Sequence, residues 1–393
     1  MKQYFIKQDQ KEIGYTMKTQ RRANPYCDVN WGKVHSITSC THMHCTDQKI
    51  LNRYLESGLE FALLSNYYPS APYYPLEKIH VNTFRCRQKG YCFRGEWRNE
   101  ELDLNKTIAQ WNDSLEPEIR SQLPFEEGPR MFPEVPEDLL QGPNAEHHWF
   151  TDAGVWLHIC APGSTLSSGH FDIPGKFGLA DHGYQLGAPV PWREGFRKLL
   201  ENLLTEDGGG IVLNHPTWSH LPADFLCEML DFDPRVLGIE VYNHNSEDSF
   251  SDFSENLWDV ILSTGRQCYG FFTQDHPTVD QLWKGKIILL PEERTAQSGL
   301  RAMRQGRFYG CITGNGLRFT SITFDGKTLR ASCNRKATFK LICKKGVVED
   351  VVTGTDFAYE VPEGKEKEMG YLRLTAQEGR AEEKLYAQAI MLS

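Results

Sequence analysis

GGGIVLNHP, residues 208–216, carries the reading of the fold. Three glycines break whatever precedes them, three apolar residues follow, and His215 with Pro216 closes the run. An apolar stretch this short, bounded by turn residues, suits a strand buried on both faces. Comparable runs recur at FALLS (61–65), VWLHIC (155–160), GIEVY (238–242) and YGFFTQ (269–274). Between them the period changes from two to 3.6. Phe196, Leu199, Leu200, Leu203 and Leu204 fall on one face of a helix predicted over 194–205, which the glycines terminate. Leu51, Tyr54, Leu55 and Leu59 repeat that spacing behind a cap at Thr46 or Asp47. Strands alternating with helices predict an α/β class, layered or barrel-like.

Two stretches interrupt the rhythm. Residues 67 to about 144 are dense in prolines, aromatics and charges, with a weak helical pattern near 104–122. They read as a long insertion that supplies a wall or lid to a site. From residue 312 the pattern becomes alternation, in LRFTSITFDGKTLRASC, ATFKLICKKG, FAYEVP, YLRLTAQ and KLYAQAIML. Short alternating strands joined at Asp325-Gly326 and Lys345-Gly346 predict a small antiparallel sandwich. The expected division is therefore residues 1–311 and residues 312–393.

The histidines stand where the strands end. His42 and His44 form an HxH, which on extended backbone points both rings to one side, as ligands of one metal require. Glu146 precedes His147 and His148, and His158 lies within VWLHIC. His215 ends its strand, and Asp275 with His276 ends YGFFTQ. Any one of these could be a hydrogen-bonded core histidine. Several strand ends finishing in imidazole or carboxylate point instead to a shared metal cluster.

Their order resembles the polymerase and histidinol phosphatase (PHP) family, over residues about 34 to 311. HxH opens that family's domain. GLEFALLSNYYPS looks like its second motif, Glu146 with His158 its third, and LNHP its His-Pro strand end. GIEVYN matches a Gly-Ile-Glu-Val-Tyr-Asn stretch, Asp275-His276 stands at the last motif, and LRAMRQGRFYG is similar to the closing segment. The resemblance implies a distorted (β/α)7 barrel, TIM-like, with a long insertion and an appended sandwich. It also implies two or three divalent ions (zinc, manganese or iron) and phosphoester hydrolysis by water they activate. On that likeness His42, His44, Glu146, His158, His215, Asp275 and His276 are the metal ligands. Asp47, Asn66, Glu240 and Asn243 are weaker candidates for ligands or for groups behind them, and His170 and His182 for substrate contacts. The chain departs from the pattern at Asn66, where the family has histidine. It departs again at residues 274–277, where Asp and His adjoin, so Gln274 or Pro277 must occupy a ligand position.

Composition narrows the function. A net charge of −9 argues against nucleic-acid backbones and leaves a small phosphorylated molecule as the expected substrate. Eleven cysteines, odd in number and without a CxxC pair, read as reduced thiols. No run approaches a membrane span and the charged start is no signal peptide, so a cytoplasmic protein is expected. No P-loop, nucleophile elbow or dinucleotide fingerprint competes. Two other functions fit the same residues. A binding protein with little or no catalysis, on a degenerate PHP barrel, fits Asn66, the altered Asp-His pair and the insertion. Hydrolysis of a non-phosphate bond fits as well, since metal-activated water serves both reactions.

Overall fold

The computed structural model describes residues 21–45, 47–65, 75–82, 96–99, 129–150, 156–165, 170–171, 192–245, 250–278, 280, 283–313, 316–379 and 383–392. Most of the expected insertion lies outside these residues, including the pattern at 104–122. Its far end belongs to the body of the protein. Leu140–Gln141 pairs in parallel with Phe61–Ala62, and Met131, Phe132 and Leu139 are buried around the helix Gln48–Glu56.

The apolar runs are strands, and they lie in two mixed sheets. In one, Val236–Asn245 is flanked in parallel by Ile211–Leu213 and Tyr269–Gln274, while Phe250–Phe253 runs antiparallel beside it. Trp156–Cys160 then pairs antiparallel both with Ile211–Leu213 and with Glu146–Phe150. In the other, Ile37–Ser39 is parallel to Phe61–Ala62 but antiparallel to Gly285–Leu289, which is antiparallel to Phe308–Ile312. Backbone bonds join the two sheets at one end, from Glu146 N–H to Ser65 O (2.7 Å) and from His44 N–H to Asp275 O (3.0 Å).

This overturns the expected (β/α)7 barrel. The described residues are mostly β, and several neighbouring strands are antiparallel. Only five residues separate Phe150 from Trp156, too few for the crossover that a parallel pair needs. A continuous apolar run reports that both faces of a strand are covered, as every residue of Val236–Asn245 is, and it says nothing about direction.

The helices follow the expected stripes with trimmed ends. Asp47 caps Gln48–Glu56 by accepting the Ile50 N–H at 3.0 Å. The helix predicted over 194–205 spans Trp192–Glu201 and buries Phe196, Leu199 and Leu200, whereas Leu204 lies beyond it, 52% exposed. Among the described residues no helix is long and apolar enough to cross a membrane.

The C-terminal strands are antiparallel, and the turns at Asp325-Gly326 and Lys345-Gly346 join hairpins as expected. Lys345 and Gly346 both have positive φ (65° and 73°) within the three-residue turn Lys344–Gly346 that joins Cys343 to Val347. The separate sandwich is corrected. Lys384–Ala387 pairs with Phe308–Ile312, so the tail continues the same eleven-stranded sheet that holds Ile37–Ser39. Arg373, fully buried, adds a second tie, with Nη2 2.7 Å from Asp259 Oδ2 and Nη1 2.9 Å from Glu255 Oε1 on the helix Glu255–Ser263.

Candidate metal centre

The joined end of the two sheets gathers the strand-end side chains. His42 and His44 leave the strand Ile37–Ser39 and bring their Nε2 atoms to 3.2 Å from each other. Glu146, first residue of its strand, reaches both, with Oε1 3.3 Å from His42 Nε2 and Oε2 3.0 Å from His44 Nε2. Its Oε1 is also 3.1 Å from His158 Nδ1 and 3.7 Å from His215 Nε2. Asp275 Oδ1 completes the ring, 3.2 Å from His42 Nε2, 3.3 Å from His44 Nε2 and 3.4 Å from His276 Nε2.

Two groups meet the geometry of a metal site, His42 with His44 and Asp275, and His42 with Glu146 and His215. Asp275 Oδ1 supports that reading independently. It is buried close to three imidazole nitrogens and accepts a hydrogen bond from none of the described groups. Buried carboxylate oxygens are ordinarily satisfied, so an Oδ1 this close to imidazole nitrogens without a hydrogen bond suits a cation beside it. Glu146, Glu240 and Asp275 are each at most 4% exposed, a density of negative charge that a divalent ion offsets well.

Local backbone irregularities aim these groups. The register between Val236–Asn245 and Tyr269–Gln274 slips between Glu240 and Tyr242. Side chains three apart on a regular strand face opposite ways, but the extra residue puts Glu240 and Asn243 on one side. Asn243 Nδ2 donates to Glu240 Oε2 at 2.8 Å and to Asp275 Oδ2 at 3.2 Å. Glu240 Oε1 in turn takes a hydrogen bond from His42 Nδ1 at 2.9 Å, and Oε2 accepts the His215 N–H at 2.8 Å. His215 has a φ of 25°, unusual for a residue with a side chain, which turns its ring into the cluster. Alternation separates Gln274 from Asp275 at the end of the strand. Asp275 faces the cluster, while the Gln274 amide bonds His244 O and the Lys284 N–H. His276 stacks on His44 with ring centroids 4.0 Å apart.

The charges are coupled. Burial disfavours a protonated His42, yet Asp275, then Cys160, Glu146 and Glu240, outweigh it and hold its pKa well above the usual imidazole value. Burial acts the same way on His215, where the nearby carboxylates of Glu146, Glu240 and Asp275 win and raise it. Glu240 is held below the ordinary carboxylate range because His42 and His215 overcome the effect of burial. Burial prevails at Asp275 and raises it.

Of the weaker candidates, Glu240 and Asn243 stand behind the imidazoles, and Asp47 is engaged as a helix cap. Asn66 and His182 lie outside the described residues. His170 is described only as backbone, paired with His148. Three contributors carry no sequence signal beyond their neighbours. Asn144 bonds Thr41 O, Leu63 O and the Ala161 N–H, tying three segments beneath the site. Ser219 Oγ lies 3.2 Å from His215 Nδ1, and Trp218 packs on His158 and His215, with ring centroids 5.5 and 4.9 Å away.

No family model matches the chain, and no curated protein matches it. Among solved structures it is similar to a two-domain protein from Bacteroides vulgatus containing a predicted PHP-like metal-dependent phosphoesterase. The identity is 12% and the TM-score 0.41, over 91% of this chain and 94% of that one.

Proposed function

We propose that the chain is a metal-dependent hydrolase whose substrate is a small phosphorylated molecule. The observation that supports it is the buried cluster of His42, His44, Glu146, His215 and Asp275, within which two overlapping three-residue groups each have the geometry to hold an ion. His42 has one nitrogen to offer, so it would join either His44 and Asp275 or Glu146 and His215, with His158 and His276 at the margins. Divalent ions there would supply the charge that polarises a phosphoryl group and acidifies water near neutral pH. Glu240 accepts a hydrogen bond from His42 Nδ1–H, so that once the ring is neutral its lone pair lies on Nε2, the nitrogen facing Glu146 and Asp275. Protons on His42 and His215 in the metal-free chain would have to leave before either ring could ligate.

The test is metal analysis of the purified protein after loading with zinc, manganese or iron, followed by a screen of phosphomonoesters and diesters. Stoichiometric metal, lost in His42→Ala and Asp275→Ala, together with metal-dependent phosphate release is the expected result. A folded wild type that takes up none of these ions overturns the reading.

A further inference from the structure

The rings of the cluster form a chain that opens to solvent at both ends. His276 stacks on His44, whose ring centroid is 5.1 Å from that of His42. His42 lies 5.6 Å from His215, and His215 meets Trp218 edge-on, at 83°. His42, His44, His158 and His215 are at most 5% exposed, whereas Trp218 is 41% exposed. Trp218 thus packs on two rings of the cluster, His158 and His215, while part of its own ring remains exposed at the rim.

Its position is built. The buried carboxylate of Asp252 lies beside the backbone of Thr217 and Trp218, and its Oδ2 accepts from Ser254 Oγ at 3.4 Å. Thr217 Oγ1 is 2.6 Å from Ser254 Oγ, and the turn closes with Ser219 N–H to His215 O and Leu221 N–H to Pro216 O. Trp218 is therefore held at the rim of the cluster before any ligand arrives, a preorganisation that lowers the ordering cost of binding.

We infer that Trp218 is a specificity-determining residue, the platform on which a planar ring of the substrate stacks while its phosphoryl group sits at the cluster. The substrate class is thus a small phosphoester carrying an aryl or heteroaryl ring next to the ester, in preference to an aliphatic one. Offset or edge-on ring contacts favour such a ring over an alkyl group of similar size. The inference rests on the proposed function, since it places the phosphoryl group at the metal positions.

The experiment compares phenyl phosphate with glycerol phosphate on metal-loaded wild type, Trp218→Phe and Trp218→Leu, by calorimetric binding and by hydrolysis. Metal content of each protein is measured first. Wild type is expected to bind the phenyl ester roughly tenfold more tightly, with Phe keeping most of that preference and Leu losing it. Metal content should be equal in all three, and the variants should differ from wild type mainly in KM. Equal binding of the two esters by wild type, or a preference that survives in Trp218→Leu, overturns the inference, as does failure to bind either ester. Equal loss of both esters in Trp218→Leu would make the residue a packing support for His158 and His215 and also overturns it. Absence of metal from wild type would instead sink the proposed function, and binding of the phenyl ester would still be read directly.

Discussion

Glu240 Oε1 stands 2.9 Å from His42 Nδ1 although the two residues are 198 positions apart in the chain, and the carboxylate is buried with the ring. This pairing sets which nitrogen of His42 faces Glu146 and Asp275. Replacing Glu240 with Gln keeps the shape and removes the charge. Metal affinity is expected to fall roughly 10- to 100-fold, the usual consequence of losing a carboxylate behind a metal-binding imidazole. Competition titration with a chromophoric chelator reads it, and unchanged affinity would remove Glu240 from the centre.

Metal uptake should be coupled to proton release. His42 and His215 hold protons more tightly than a free imidazole, with its pKa of about 6.5. An ion must displace those protons, so affinity should climb with pH through the neutral range. Calorimetry at pH 7 in two buffers of different ionisation enthalpy measures the release, and none would contradict the protonation described. The metal-free chain should behave in the opposite sense. A raised folded-state pKa contributes stability in full below about pH 6.5, lost as pH rises through the folded value. Chelated protein is thus expected to lose stability toward alkaline pH where loaded protein gains it.

Arg373→Ala should be among the most damaging changes away from the cluster. It would strip Asp259, 5% exposed, of its bidentate partner and Trp258 of the guanidinium that lies 4.8 Å from its ring centroid. Removing one member of a buried ion pair costs about 3–5 kcal/mol. Urea denaturation checks this. A loss below about 1 kcal/mol, the level of an exposed pair, would show that the pairing is not maintained.

Ending the chain at residue 311 is expected to abolish folding rather than yield a smaller soluble protein. The strand Phe308–Ile312 would lose Lys384–Ala387, and Gly270 would lose the bond its N–H donates to Gln388 Oε1 and the one its carbonyl accepts from Gln388 Nε2. An exposed ladder edge next to buried apolar surface favours aggregation. Size-exclusion chromatography and circular dichroism decide the matter, and a monomeric, cooperatively folded product would refute it.

His215 and Asp275 were legible because each sits where an apolar run stops, whereas Glu146 opens its strand and His158 lies inside one, so these two were legible only from their residue types. His42, His44, Glu146, His158, His215 and Asp275 all converge within a few ångströms. Strand direction was not legible. GIVLN reads the same beside a parallel neighbour, Val236–Asn245, as beside an antiparallel one, Trp156–Cys160, and it has both. The slip near Val241 was equally hidden, since nothing in GIEVYN marks an extra residue, yet it places Glu240 and Asn243 together. Asp252 meets Trp218 at its backbone, which any residue type offers.

The unbroken ladder from the tail to Ile37–Ser39 also limits how the molecule can move. Two lobes that share adjacent strands cannot rotate about a linker without breaking the bonds between Tyr309, Gly310, Cys311 and Ile312 and their partners in Lys384–Ala387. Rotation of the tail against the strand Phe308–Ile312, of the kind seen where lobes meet through a flexible connection, is therefore closed to the described residues. Access to the imidazole cluster must be governed close at hand, by turns and side chains at its rim. Amide hydrogen exchange along Phe308–Ile312 should then slow to the global unfolding rate, whether or not a ligand is bound.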